Sequence, residues 1–410
     1  MNYSRFCVRM IIADFTTIYY RYVNAMDLRA YSTVDKRRKA MEDALKINLY
    51  HIGKYSFDTK IASVKNCENM IGVVQIPLGV AGPLEIKSSL QKRKIFVPLA
   101  TTEGALVASV NRGSKAITES GGANVVSKKI GITRAPVFVV ENIGRGEETI
   151  EWVKDNINEI KKIAEETSSH LKLLDIKSWM VGRNLFLRFK FDSQDAMGMN
   201  MATIACTLAA DLIEKKTKAK LVSISGNMCV DKKANVLNII EGRGIQVWAD
   251  CVLPAEIVEK VLKTTLEKFV DVVARKVYLG SILSGSIGAN AHAANVLAAI
   301  FLACGQDVAH ITEVSSVITT AEILKQGLYI SVFLPDLVVG TIGGGTSLAT
   351  QQEALNILGV FGGDNGRNSQ KLAEIIGGAV LAGEISLIAS LSINSLACSH
   401  RKLGRGEKIK

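Results

Sequence analysis

The sequence predicts a mixed α/β (α+β) protein: a large helix-rich domain interrupted by a smaller inserted sheet domain. Three features predict it. Short strand and helix patterns alternate between about residues 136 and 225. From about residue 236 onward long helical patterns dominate. Proline and glycine break the chain into extended pieces over 66–134 before it turns helical.

In chain order, residues 1–65 read as a basic, helical lead-in, with helical composition over 34–49. The run Ile76-Pro-Leu-Gly-Val-Ala-Gly-Pro83 holds two prolines and two glycines, so it is extended and tightly turned. A strand follows near 95–99. Thr101 and Thr102 ahead of Glu103 predict a helix start, with an apolar run to Ile117. Residues 136–140 read as a strand. Ile150, Val153, Ile157 and Ile160 recur at helical spacing, which predicts an amphipathic helix over 147–164. Leu185, Leu187, Phe189 and Phe191 alternate with Asn184, Phe186, Arg188 and Lys190, the period of a strand with one more polar face. An apolar helix over 197–214 and a strand over 221–225 follow, with room for another strand at 175–181. That order matches a split βαβ, ferredoxin-like sheet with helices on one face. Beyond it, helices are expected at 255–273, 289–303, 352–358 and 370–392, the first with Pro254 at its start. A strand at 328–333 runs into a glycine-rich turn. The boundaries expected are 1–65 for the N-terminal helical region, 66–135 with 236–410 for the large domain, 136–222 for the inserted domain and 223–235 for a connecting loop.

Composition narrows the function. At ~150 residues per domain, 410 residues imply two or three domains. Hydrophobic residues at 48% against 22% charged exclude a disordered chain. The apolar stretch 10–22 is short and interrupted by Asp14 and Thr16, and it lacks a cleavage site, so neither a membrane-spanning nor a secreted protein is expected. Seven cysteines without a C-x-x-C read as reduced thiols in the cytoplasm. Five histidines without an H-x-x-x-H pair suggest no metal site. A net charge of +11 favours polyanions or phosphorylated cofactors. No zinc-finger or RNA-binding signature accompanies that charge, so nucleic acid is the weaker reading.

No G-x-G-x-x-G and no P-loop occurs, so a nucleotide must be held another way. Asp195-Ala-Met-Gly-Met-Asn-Met201 could offer backbone N–H groups at a helix start. The glycines of Gly340-Thr-Ile-Gly-Gly-Gly-Thr346 would let backbone approach a ligand. Asp231-Lys232-Lys233, Asp307, Glu103 and His400 are candidate reactive groups, although taken singly each also reads as a surface charge or helix-end residue.

Taken together, these motifs resemble a known family. Glu68-Asn-Met-Ile-Gly72, Ile76-Pro-Leu-Gly-Val-Ala-Gly-Pro-Leu84, Thr101-Thr-Glu-Gly104, Asp195-Ala-Met-Gly-Met-Asn-Met201, Asp231-Lys-Lys233, Gly305-Gln-Asp307, Gly340-Thr-Ile-Gly-Gly-Gly-Thr346 and Ser399-His400 occur in the order found in HMG-CoA reductase. The likeness is to the class of eukaryotes and archaea, without its membrane domain, and runs from about 35 to 406.

The resemblance implies a four-electron reduction of 3-hydroxy-3-methylglutaryl-CoA to mevalonate and CoA by two NADPH, through mevaldyl-CoA and mevaldehyde. It implies Lys232 as the cation at the carbonyl oxygen, Asp307 as its counter-ion, Glu103 as the proton donor and His400 as the acid for the CoA thiolate. Arg134, Ser225, Asp231, Lys233, Lys276 and Asn295 would hold the hydroxymethylglutaryl part. Asp195, Met197, Gly198, Met199, Asn200, Ile342, Gly343 and Arg405 would line the cofactor, which falls to the inserted domain. It also implies a homodimer or homotetramer with active sites between subunits, the 68–72 motif taking part in the contact. Burial and a neighbouring Asp307 are expected to keep Glu103 protonated. The chain departs from the family pattern at Ala234 (proline), Ser395 (a second histidine), His310 (glutamine), His170 (a basic residue) and Gly406 (a regulatory serine). The His170 change leaves NADH as a rival cofactor.

Overall fold

The computed structural model describes residues 30–393, apart from 46, 47, 49, 51, 52 and 57. Two compact units are present. The first comprises the described residues up to Pro77 together with Leu348–Thr350; the second holds the rest. In the first unit, helices Val34–Leu45 and Thr59–Lys65 bury Val34 and Ala62 with Met70 of the Glu68–Gly72 motif. Arg37 donates to the Met70 carbonyl at 2.8 Å and Arg38 to that of Ile71 at 3.2 Å, so half of the 36–39 basic cluster fastens the motif.

The second unit is built on one ten-stranded sheet. Its strands are β1 (Leu78–Lys87), β2 (Lys92–Ala100), β3 (Ala123–Arg134), β4 (Val137–Val139), β5 (Lys172–Val181), β6 (Asn184–Asp192), β7 (Lys220–Ser223), β8 (Gly244–Leu253), β9 (Ile318–Leu324) and β10 (Gly327–Leu337). The inserted part follows the order β7-β4-β6-β5 with every neighbour antiparallel, the ferredoxin-like order that the sequence suggests. Its core is Phe138, Leu185, Leu187, Phe189 and Phe191 against the helix Met199–Lys216. Each such side chain, fully buried, contributes roughly 1.5–3 kcal/mol.

Three strands were not expected: β3, β8 and β9. β3 lies where the sequence reads as turning helical, and β8 and β9 fall beyond residue 236, where helices are expected to dominate. The long β3 is the most consequential. It pairs with β8 along Asn124–Gly131 and with β6 along Ile132–Arg134, so it carries the sheet from the large part into the insert. Two expected helices are divided. The 147–164 helix is two, Ile143–Asp155 and Ile157–Glu165, with Asn156 ending one and preceding the other. The 255–273 helix breaks at Lys263, which has a left-handed φ of 62°, and contains wider π turns. Helical spacing of apolar residues continues across both breaks, so periodicity cannot locate them.

The helix Arg367–Ser392 forms the centre of the large part. It is long and apolar enough to cross a membrane, which the sequence reading did not anticipate, but 83% of its apolar window is buried inside the fold. Gly113 of the helix Leu106–Glu119 meets it so closely that a Cβ would stand 1.9 Å from the Ala382 carbonyl oxygen. Only glycine permits that crossing. Two buried glutamates stud this helix. Glu374 accepts from Ser88, Gln91 and Ser127. Glu384 accepts from the backbone of Ala291 and His292 and from Thr319, which fixes the entry to the helix Ala293–Ala303.

Candidate active site

Lys232 sits on the loop between β7 and the helix Val236–Glu241, with a left-handed φ of 58°. That backbone turn, uncommon for a residue with a Cβ, aims its amine at Asp307, 2.7 Å away. Asp307 caps the short helix Val308–His310 and also accepts from the Ala309 amide at 3.0 Å. Burial pushes the Asp307 carboxyl upward. The hydrogen bonds from Lys232 and Ala309 and the charges of His310 and Lys232 outweigh it, and hold the group below its ordinary range. Asp307 therefore stays an anion at neutral pH. The pair is partly open, with 40% of the Lys232 side chain and 34% of Asp307 exposed. An ion pair that exposed adds only about 0–1 kcal/mol to stability.

A buried charge network lies behind the pair. Arg243, fully buried, donates to Asp231 at 2.9 Å, to Glu313 at 2.6 Å and to Thr133 at 3.0 Å, and touches the Met199 sulfur. It thereby ties the lysine loop to the start of the Met199–Lys216 helix. His310 bonds Glu313 through Nδ1. Asn238 bridges Glu313 and Asp336. Burial, then the Glu313 charge, pushes the Asp336 carboxyl up to about 7, against the pull of Asn238 and Arg243. Asp231, His310 and Glu313 also bring ligand atoms within 4.8 Å of one another, a metal-like cluster, but Arg243 already engages both of its carboxylates.

Glu103 lies elsewhere in the chain. It precedes the Leu106–Glu119 helix instead of entering its first turn, and it is exposed. Asn295, in the first turn of Ala293–Ala303, donates to it at 2.7 Å. Among the described residues it has no ion-pair partner, and its exposure departs from the burial expected for it. At ~1.5 Å per residue, ~12 Å of helix separates Asn295 from Ala303, and Asp307 lies four residues further on. The described contacts join Glu103 to Asn295 and, separately, Lys232 to Asp307.

The other expected substrate residues stand on several elements. Arg134 ends β3 and donates twice to Thr203. Ser225 lies 3.4 Å from the Cys229 sulfur, and Lys233 is exposed with its amine on the Asp231 carbonyl. Lys276 is exposed in the π turns after Val273. His400 and Arg405 lie outside the described residues.

The two expected cofactor segments are brought together. Ala196 and Ile342 form a parallel bridge, and Thr341 donates to the Asp195 carbonyl at 2.8 Å. A Cβ on Gly340 would stand 2.5 Å from the Met197 nitrogen. Gly343, with φ of 80°, has nothing near its missing Cβ, and Ile342 is exposed beside it. Gly198, with φ of 92°, caps the Met199–Lys216 helix without a side-chain bond, leaving first-turn N–H groups open near exposed Asn200. Met197 is half-buried and Met199 buried. The Asp195 side chain is engaged inward. It accepts from the backbone of Asp364 at 2.6 Å, Gly366 at 2.7 Å and Ser369 at 2.8 Å, and so caps the central helix. Burial raises its carboxyl, but these three amides and Lys129 bring it below its ordinary range.

Sequence reasoning missed Arg243, Glu313, Asn238 and Asp336. Isolated charged residues carry no spacing signal, and only the fold brings these together.

Comparison with known proteins identifies the family. The family model of hydroxymethylglutaryl-coenzyme A reductase matches residues 33–405. The chain belongs to that family. It is 51% identical over 390 residues to 3-hydroxy-3-methylglutaryl-coenzyme A reductase of Pyrococcus abyssi, covering 94% of this chain and 95% of that one. It is 47% identical over 394 residues to the reductase of Halobacterium salinarum, covering 93% and 97%. Its fold is similar to the class II reductase of Streptococcus pneumoniae bound to NADPH, with a TM-score of 0.65 at 15% identity over 89% of this chain and 98% of that chain. The family is one of oxidoreductases.

Proposed function

We propose that this reductase-family chain converts 3-hydroxy-3-methylglutaryl-CoA to mevalonate and free CoA in the mevalonate pathway, at sites shared between subunits. The observation that carries the reading is the Lys232–Asp307 contact of 2.7 Å, a half-open ion pair backed by a buried network. An ammonium held there can meet an oxygen that gains negative charge as a thioester or aldehyde carbon is reduced. One such donor lowers a barrier by about 3–4 kcal/mol.

NADPH supplies the hydride when bound. The open N–H groups after Gly198 and the unobstructed Gly343 fit its pyrophosphate, and Met197, Asn200 and Ile342 edge the same place. Asp307 stays ionised, so the proton for the substrate oxygen falls to Glu103, oriented by Asn295. In this reading a second subunit brings Glu103 to Lys232, and a homodimer, alone or paired into a tetramer, is the working form. Arg134, Lys233 and Lys276 are the cations for the substrate carboxylate, with Ser225 and Asp231 beside them. His400 is the acid for the thiolate, and Arg405 adds charge at the cofactor. Free buried Cys206, Cys229, Cys251 and Cys304 suit a cytoplasmic location.

The test is loss of nicotinamide absorbance with the thioester. Oxidation should need the thioester, and kcat/KM should favour NADPH over NADH. No oxidation above background by the folded protein refutes the reading. Turnover by a strictly monomeric form refutes the shared site.

A further inference from the structure

Lys232 is paired with Asp307, and His310 packs on the other side of that carboxylate. His310 is fully buried, and its Nδ1 is bonded to Glu313. Its Nε2 is buried without a hydrogen-bond partner. That nitrogen faces the Asp307 oxygen at 3.8 Å, and this is the same oxygen that holds Lys232. At 3.8 Å there is no hydrogen bond. A ring locked at one nitrogen and idle at the other, aimed at the counter-ion of the reacting amine, is an incomplete contact.

Charge supports the same point. Three carboxylates meet here, Asp231, Asp307 and Glu313. Two cations face them, Lys232 and Arg243. Asn238 is neutral, and burial raises the Asp336 carboxyl to about 7. When Lys232 turns toward a substrate oxygen, Asp307 loses its partner and the acids outnumber the cations further.

We propose that His310 is a positioning residue for the reduction: held by Glu313, it turns its Nε2–H to Asp307 when Lys232 leaves for the substrate oxygen. The proposal rests on the reading of Lys232 given above. Held between Glu313 and Asp307, the ring keeps Asp307 in its place between turnovers. No bond to substrate is asked of it.

The test compares His310→Asn with His310→Gln in the full chain. The Gln amide can reach as far as Nε2 and donate; Asn is one methylene shorter. His310→Asn should lower kcat by about 10- to 100-fold, the worth of a hydrogen bond to a charged group, with the thioester KM within about threefold of wild type. His310→Gln should recover kcat to within about fivefold. A purely structural role would lower kcat in both variants in step with their melting temperatures, and that result overturns the proposal. So does an unchanged kcat in His310→Asn. If His310→Asn does not fold, His310→Gln decides alone: a kcat below about a hundredth of wild type at unchanged melting temperature overturns it. Lys232→Ala separates the two readings. If it turns over like wild type, the role of Lys232 fails and takes this proposal with it. If only the His310 variants behave unexpectedly, Lys232 keeps its role.

Discussion

Replacing Asp195 by Asn separates two uses of one residue. The family resemblance places Asp195 at the cofactor, whereas its carboxylate caps the central helix. Two amides, Asp364 and Gly366, donate to one of its oxygens and Ser369 donates to the other. An Asn side chain keeps one oxygen and turns an NH2 toward at least one of these donors. Each buried N–H left facing a donor costs about 1–3 kcal/mol, and the surviving bonds lose their charge assistance. A total near ~3 kcal/mol follows. At ~2.1 cal/mol/K per residue, 410 residues give an unfolding entropy near ~860 cal/mol/K. Thermal unfolding of Asp195→Asn should therefore come about 3–4 °C below wild type. Because the Asp195 carboxyl is depressed in the fold, its contribution is full above the ordinary aspartate range of about 3.9 and fades as pH falls through the lower folded value. The gap should narrow in strong acid. An unchanged melting temperature with a raised KM for NADPH would refute this reasoning and return Asp195 to the cofactor.

Lys232→Ala should cut kcat by about 10²–10³-fold with little change in melting temperature, because the ion pair is too exposed to stabilise the fold. A large thermal shift in calorimetry would contradict the second half. Arg243→Met leaves buried Glu313 facing His310 without its arginine, and should destabilise by about 3–5 kcal/mol in urea titration. A loss under ~1 kcal/mol would show that the network compensates. Asp336 carries the opposite pH sign to Asp195. Its folded carboxyl is raised to about 7, so its contribution is full below the ordinary carboxylate range and lost as pH rises through 7. Asp336→Asn should gain thermal stability over wild type as pH rises from 5 toward 8, by an amount on the order of a few kcal/mol. A pH-independent difference would rule out the raised carboxyl.

The insert was legible because its strands alternate and its helices are amphipathic. Phe189 and Phe191 point inward and Lys190 does not, as period-two patterning requires. β3 and β8 escaped that reading. In β3, Val125 is buried and Val126 exposed, so two apolar neighbours face opposite sides. Likewise exposed Trp248 in β8 stacks on Phe333 of β10, on the sheet face that carries Val126 and Phe96. A sheet with apolar residues on both faces shows no alternation. The candidate site residues were picked out by ordered motifs, each of them weak alone. Arg188 was mistaken for a solvent-facing member of its strand; it is buried against Glu241 at 2.7 Å, an ion pair that neither motif nor period announces.

That distinction bears on how the site works. The groups named by motif, Lys232, Lys233, Glu103 and Asn295, are exposed or half-exposed, and those found only in the structure, Arg243, Glu313 and Asp336, are buried. An ammonium free to move toward a substrate cannot also be locked in the core. Its counter-ion must then be fixed by something that does not move. Asp307 stands at that boundary, open on the Lys232 side and closed by His310 on the other. Motif resemblance picks out the moving half of such a pair, because substrate chemistry dictates its residue types. The fixed half needs only charges that balance and donors that reach, a requirement several different side chains satisfy, as His310 in place of glutamine illustrates.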